Sequence, residues 1–237
     1  MNQRDVFSRL DSSKQARVLD AAIEEFAEQG FSLASMNRVV QRGGIAKGSL
    51  FQYFGSKEGL FRFIFDHAVE LVRKSLRQVK QETASADFFE RISQSLLTGI
   101  HFIVRHPRIY QIYLKMIFQE TFPLRSQFLQ QVHLFSADYL KPLVEGGIAR
   151  GELRADLNIA LTVFFLDALM DRFLQAYCVS FLDAGAGLYQ ATPDELQEKV
   201  QEFIKLLRNG LENRRLDGAT TGIQVCRGLS GPPPARG

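Results

Sequence analysis

Lys47, Ser49 and Gln52 stand close together in the run GGIAKGSLFQYF, and their side chains have the chemistry to read base edges in a DNA groove. A lysine donates to guanine, a glutamine pairs bidentately with adenine, and a serine bonds either way. Gly48, between them, lets backbone approach a duplex closely. Such contacts discriminate only when the side chains project from a rigid element, so the neighbouring sequence must supply one.

It supplies two short helices and a corner. Ser35 is placed to cap the first, which carries Met36, Val39 and Val40 at helical spacing on a face that should be buried. Gly43-Gly44 offers the left-handed conformation that a sharp helix-to-helix corner requires, and Ile45 follows as the apolar residue that pins the corner to a core. The second helix, roughly 47–53, is too short to be stable alone and must be held by neighbours. This is the spacing of a helix-turn-helix, whose second helix lies in the major groove. From Ser35 to Lys57 the charged residues are Arg38, Arg42, Lys47 and Lys57, whereas the preceding helix carries Asp20, Glu24, Glu25 and Glu28. The expectation is a basic DNA face opposed to a solvated acidic one. The formal net charge of +3 says little, because residues 214–237, with four arginines and one aspartate, account for all of it.

From Lys14 to Phe61 the chain resembles the TetR family of transcriptional regulators, about a fifth of its length. The residues that carry the likeness are AAIEEFAEQGF (21–31), Ser35, GGIAKGSLFQYF (43–54) and SKEGLF (56–61). Val40, Gly43 and Ala46 depart from the family's usual residues, and Ala46 removes a common side-chain cap and phosphate contact. The resemblance implies that Tyr53 and Lys57 bond phosphates, with Ser35 and Arg42 as further anchors. Phe51 and Phe54 are expected to pack inward.

The remaining sequence reads as helix throughout, with no alternating strand pattern and no internal repeat. One helix should run from about Lys14 to Gln29 and stop at Gly30, and a long one should start at Ser56 and end near Gln81. Others are expected over about 87–105, from Pro107 onward, from after Pro123 to a stop at Gly146-Gly147, over about 158–182, and from a Thr192-Pro193-Asp194-Glu195 capping box onward. The expected fold is all-α: a helix-turn-helix domain over 1–60, a larger helical effector-binding and dimerisation domain over 61–215, and a disordered glycine- and proline-rich tail over 216–237. The longest apolar run, 159–166, is too short to span a bilayer, and the N-terminal residues are polar. Cys178 and Cys226 lie too far apart in sequence to indicate a metal cluster or disulfide framework, so the expected location is the cytoplasm, with no metal and no cofactor.

Between Ile159 and Leu182 apolar residues occupy nearly every direction around the helix axis, and Leu196, Val200, Phe203, Ile204, Leu207 and Leu211 form a seam on the last helix. Either these helices make one deep core, or they close a two-fold four-helix interface, as the resemblance implies. Two reading heads one helical turn apart would read a palindrome. The resemblance further implies a pocket in the larger domain for a small, apolar or aromatic effector. Its candidate walls are Phe102, Tyr110, Tyr113, Met116, Phe118, Phe122, Phe128, Phe164, Phe173 and Tyr177, and its polar candidates are His101, Arg105, His133, Asp167, Asp171 and Arg172. Asp167 and Asp171, four apart, share a face that suits a partner's arginine or a cationic ligand equally. Enzyme motifs are missing: GGIAKGS lacks the phosphate-loop spacing, and neither H-E-x-x-H nor G-x-S-x-G occurs. The expected function is a ligand-responsive repressor that binds a palindromic operator as a homodimer. The alternative is a DNA-binding protein without an effector, which acts through a protein partner and has no internal cavity.

Overall fold

Caps written into the sequence start most of the helices. In the computed structural model, which describes residues 7–119, 122 and 124–211, Asp11 accepts from the Lys14 amide and opens α1 (Ser12–Leu33). Two short helices follow, α2 (Met36–Gly43) and α3 (Lys47–Phe54), then the long α4 (Lys57–Glu82), capped by the Ser56 hydroxyl at the Gly59 amide. Asp87 caps α5 (Phe88–Arg105), and Pro107 takes the first position of α6 (Pro107–Phe118). After α7 (Arg125–Ala149), Asn158 caps α8 (Ile159–Cys178), which is followed by the single turn α9 (Ser180–Asp183). Thr192 and Glu195 exchange the expected reciprocal bonds at the start of α10 (Pro193–Leu211). The described residues contain no strand.

Several boundaries differ from the sequence reading, each for a local reason. Gly30 does break α1, at φ 71°, but three further residues resume a turn before Ala34 ends it. Gly146-Gly147 does not end α7. A Cβ on Gly147 would meet Leu153 at 3.0 Å and Phe88 at 3.3 Å, so this glycine lets α5 and the chain after α7 pack closely, and the stop comes at Gly151 with φ 72°. The helix expected over 158–182 ends at Cys178, where Val179 adopts extended backbone. Ser35 takes the N-cap position of α2 but makes no side-chain cap; its amide donates instead to Glu25 at 2.7 Å. The residues read as a tail, with Cys226, lie outside the described residues.

Two apolar clusters organise the packing. The first joins α1 to α4 around Val18, Phe26, Leu50, Phe54 and Phe61, and it extends into α6 and α7 through Ile112, Met116 and Phe128. The Phe31 and Phe122 rings stack 4.7 Å apart across this junction, and Phe65 lies 4.4 Å from Phe128. The second cluster holds α5, α7, α8 and α10 around Phe88, Leu96, Val144, Leu166 and Val200. No helix among the described residues is long and apolar enough to cross a membrane.

The acidic side of α1 is only partly solvated: Asp20 and Glu28 are exposed and Glu24 is half-buried, but Glu25 is not in solvent. Glu25 is fully buried and receives Nε of Arg38 at 2.9 Å and Nη2 at 2.6 Å, and Arg42 reaches Glu28 at 3.0 Å. These pairs tie α1 to α2 and use up two of the arginines expected on the DNA face. Burial by itself would raise the Glu25 carboxyl, but the bonds from Arg38 and the Ser35 amide, with the charges of Arg38 and Arg42, hold it below its ordinary value. A depressed carboxylate contributes stability above its unfolded pKa, and that contribution is lost as pH falls through the folded value. Arg38→Ala, which removes the main partner of the buried carboxylate, should therefore destabilise the fold at neutral pH. In urea titrations across pH the gap from wild type should close in acid; a gap constant down to pH 3 would refute this role.

Candidate DNA-reading and effector-binding sites

The corner between α2 and α3 has the geometry the sequence implied. Gly44 sits in the left-handed region at φ 62°, and its amide caps the Val40 carbonyl. Ile45 packs, half-buried, against the first cluster. On α3, Leu50, Tyr53 and Phe54 turn inward and are buried, while Lys47, Gly48, Phe51 and Gln52 are exposed and Ser49 is intermediate. Lys47 with Phe51, and Gly48 with Gln52, are four apart, so they form one contiguous outward face. Gly59 fixes how α4 leaves this helix: a Cβ there would stand 1.9 Å from the Phe54 carbonyl oxygen.

Phe51, expected to pack inward, is 38% exposed on the reading face. The helical period carried the signal, since Phe51 is one turn from Lys47 and not in register with Leu50 and Phe54. A phenylalanine at that place can contact a thymine methyl. Among the phosphate anchors the structure redistributes roles. The Tyr53 ring is buried against Phe7, 5.7 Å away. Lys57 is committed within the protein, donating to the carbonyls of Ser32 at 3.0 Å and Ala34 at 3.3 Å, with its ammonium 5.0 Å from the Phe31 ring. Arg42 is ion-paired and Ser35 is tied by its amide to Glu25. Of the expected base readers, Lys47 and Gln52 keep an outward position, while Ser49 is half-buried.

The larger region holds a partly open cavity of about 250 Å³, lined by α4, α5, α6, α7 and α8. Its walls are apolar, from Ile64, Phe65, Val72, Ile103, Met116 and Leu174 among others, and Phe102 joins them. The sequence reading missed the α4 wall, because an apolar helix face looks the same whether it borders atoms or a void. Of the candidate effector residues, Tyr110, Tyr113, His133 and Asp167 line the cavity, as does Asp171. Four do not. His101 and Arg105 are exposed on the far side of α5, Phe128 is fully packed between Phe61 and Phe65, and Phe164 is 70% exposed on the outer surface. Among the other expected walls, Phe122 fills the junction with α1, Phe118 is 44% exposed, and Phe173 packs on Phe203.

One end of the cavity is polar. The Tyr113 hydroxyl donates to Asp171 at 3.0 Å and the Gln175 amide donates to its other oxygen at 2.7 Å. His133 Nδ1 lies 3.1 Å from Asp167. Burial lifts the Asp171 carboxyl above the ordinary aspartate range, against the Tyr113 bond and with help from the charge of Asp167. Burial likewise pushes the Tyr110 and Tyr113 phenols up.

A corner-braced reading helix joined to a helical domain with an internal cavity is also what sequence comparison finds. The pattern of "Bacterial regulatory proteins, tetR family" matches residues 18–64, and that of "Tetracyclin repressor-like, C-terminal domain" matches residues 86–212, over half of the chain. The chain belongs to the TetR family. It is a ligand-responsive, DNA-binding transcriptional regulator, and TetR-family members act as dimers. This TetR-family regulator is 22% identical over 195 residues to the "Probable acrEF/envCD operon repressor" of Escherichia coli, covering 79% of the chain and 85% of the relative. It is 27% identical over 157 residues to the "HTH-type transcriptional repressor NicS" of Pseudomonas putida, covering 64% and 71%. Its structure superposes on a TetR-family regulator from Chloroflexus aurantiacus with a TM-score of 0.62 at 27% identity, covering 89% of this chain and 98% of that one. FadR of Bacillus subtilis, solved with stearoyl-CoA, shares the fold with a TM-score of 0.65 at 17% identity, covering 82% and 98%.

The two lysines of the reading domain should separate in experiment. Lys47→Ala should leave folding stability within about 0.5 kcal/mol of wild type, yet lose about 1–3 kcal/mol of discrimination between cognate and base-substituted sites. Lys57→Ala should instead lower stability by about 1–3 kcal/mol, because it removes charged hydrogen bonds to carbonyls at the end of α1. Denaturant titration and competition binding on the same samples check both; equal stability losses in the two variants would contradict the assignment.

Proposed function

We propose that this regulator is a repressor that binds a palindromic operator as a homodimer and is released by a small, largely apolar effector lodged among α4, α5, α6, α7 and α8. The observation that carries this reading is the double duty of α4. Phe61, Ile64 and Phe65 belong to the core behind the reading helix and also line the cavity. A ligand pressing on that wall acts on the same helix whose first turn packs against the Phe54 end of α3. An effector that fits one setting of α4 better than another shifts the population of head spacings by its differential affinity. The cavity also argues against the alternative of an effector-free protein, which has no use for one.

In this reading the dimer forms through α8 and α10. Leu161, Phe164 and Phe165 of α8 are 66%, 70% and 46% exposed, and with exposed Ala168 they follow helical spacing along one face. A contiguous apolar patch of large side chains on a protein surface marks an interaction site. On α10 the seam expected at this interface is the protomer's own core: Leu196, Val200, Ile204, Leu207 and Leu211 are buried. What α10 leaves for a partner is Leu206, 72% exposed.

Two measurements test the proposal. Footprinting with purified protein should protect two half-sites about 10 base pairs apart centre to centre, or a multiple of that spacing. Leu161→Asp combined with Phe164→Asp should give a folded monomer in analytical ultracentrifugation, with operator affinity lowered by about 10²–10⁴-fold through loss of the second head. A double variant that stays dimeric would move the interface elsewhere.

A further inference from the structure

The charge lining the cavity narrows the class of effector. Its described lining contains two carboxylates, Asp167 and Asp171, and one histidine, with neither lysine nor arginine. A ligand carrying a carboxylate, phosphate or thioester-linked nucleotide would bring its own negative charge to these acids, and the cations near them, His133 paired with Asp167 and Arg172 whose charge reaches Asp171, already face those acids. Asp171 uses only two of its roughly four lone-pair directions, on Tyr113 and Gln175. The bond partner of Asp167 here is His133, whose side chain is 57% exposed and free to yield its place. A separate observation points to a missing polar group. Among the described residues the buried Tyr110 hydroxyl has no hydrogen-bond partner, on a residue only 8% exposed that lines the same cavity. Orphaned buried hydroxyls are costly and rare, and this one can accept from an N–H donor.

Taking the cavity as the effector site, we infer that the effector is a small apolar amine, bound as its cation, with the ammonium bonded to Asp167 and Asp171 and to the Tyr110 oxygen. The aromatic surfaces of Phe102, Tyr110 and Tyr113 favour the same charge, since ring faces attract cations. The apolar body of the ligand lies along Ile64, Val72 and Met116. At about 250 Å³ the space is small for a ligand site, which suits one ring with a short chain better than a long lipid. Burial raises the Asp171 carboxyl above the ordinary aspartate range, and a nearby ammonium would favour its ionised form.

Three matched ligands test this by calorimetry on the full-length protein: 4-phenylbutylamine, 4-phenylbutanol and 4-phenylbutyrate. The amine should bind about tenfold or more tighter than either analogue, as charge-assisted bonds require. Asp171→Asn and Asp167→Asn should each remove most of that advantage over the alcohol, with thermal unfolding like wild type showing that the variants fold. Tyr110→Phe should weaken the amine and spare the acid. An acid or alcohol that binds as tightly as the amine, or an amine advantage that survives both asparagine variants, overturns the assignment. A neutral fluorescent probe, N-phenyl-1-naphthylamine, separates this failure from failure of the site. If none of the three ligands binds, but the probe enters wild type and is excluded by Val72→Trp, the cavity stands and the amine class falls. If the probe does not enter wild type, the cavity reading falls as well.

Discussion

An eight-residue helix cannot persist in water on its own hydrogen bonds, so the reading helix α3 exists only because of what lies behind it. Leu50 and Phe54 sink into the first cluster, and the Tyr53 ring joins them against Phe7. The same cluster is braced from the other side by Glu25, whose buried carboxylate binds the Ser35 amide and the Arg38 guanidinium. A buried charge of this kind gives a defined geometry more than net stability, because the cost of removing it from water offsets most of the attraction. The consequence is a corner that is held at one angle. Any discrimination of bases from the exposed face of α3 depends on that angle being fixed.

The second consequence of this dependence concerns α4. Its first turns are part of the core that supports α3, and its middle forms one wall of the cavity. Interfaces packed with aromatic rings, such as Phe61 and Phe65 against Phe128, resist continuous deformation and instead exchange between discrete arrangements. A ligand therefore need not touch the DNA-reading residues to alter their spacing. The polar end of the cavity, built from α6, α7 and α8, lies where it can set which ligands have this effect.

Charge distribution separates the two sites of the molecule. In the reading domain arginines and acids are matched in pairs, Arg38 with Glu25 and Arg42 with Glu28, and these pairs hold helices together. In the cavity the acids rest on tyrosine, glutamine and histidine partners, with the charge of Arg172 near Asp171. Buried acid is tolerated at a binding site because a ligand can complete it.

Much of this was legible in the amino-acid order alone. Helical periodicity, the Gly43-Gly44 corner, the caps at Ser56, Asp87, Asn158 and Thr192, and the face of Lys47 and Gln52 are local properties, set by side chains within one or two turns of each other. The family likeness rested on the same local residues. Tertiary structure decided everything that depends on which faces meet. It turned the acids of α1 onto Arg38 and Arg42, drew Lys57 onto the end of α1, carried α7 through two glycines, and buried the α10 seam within its own protomer. It also chose, among ten aromatic and apolar candidates, those that border the void. A sequence records that a face is apolar; only packing determines whether that face meets atoms, a partner or an empty space.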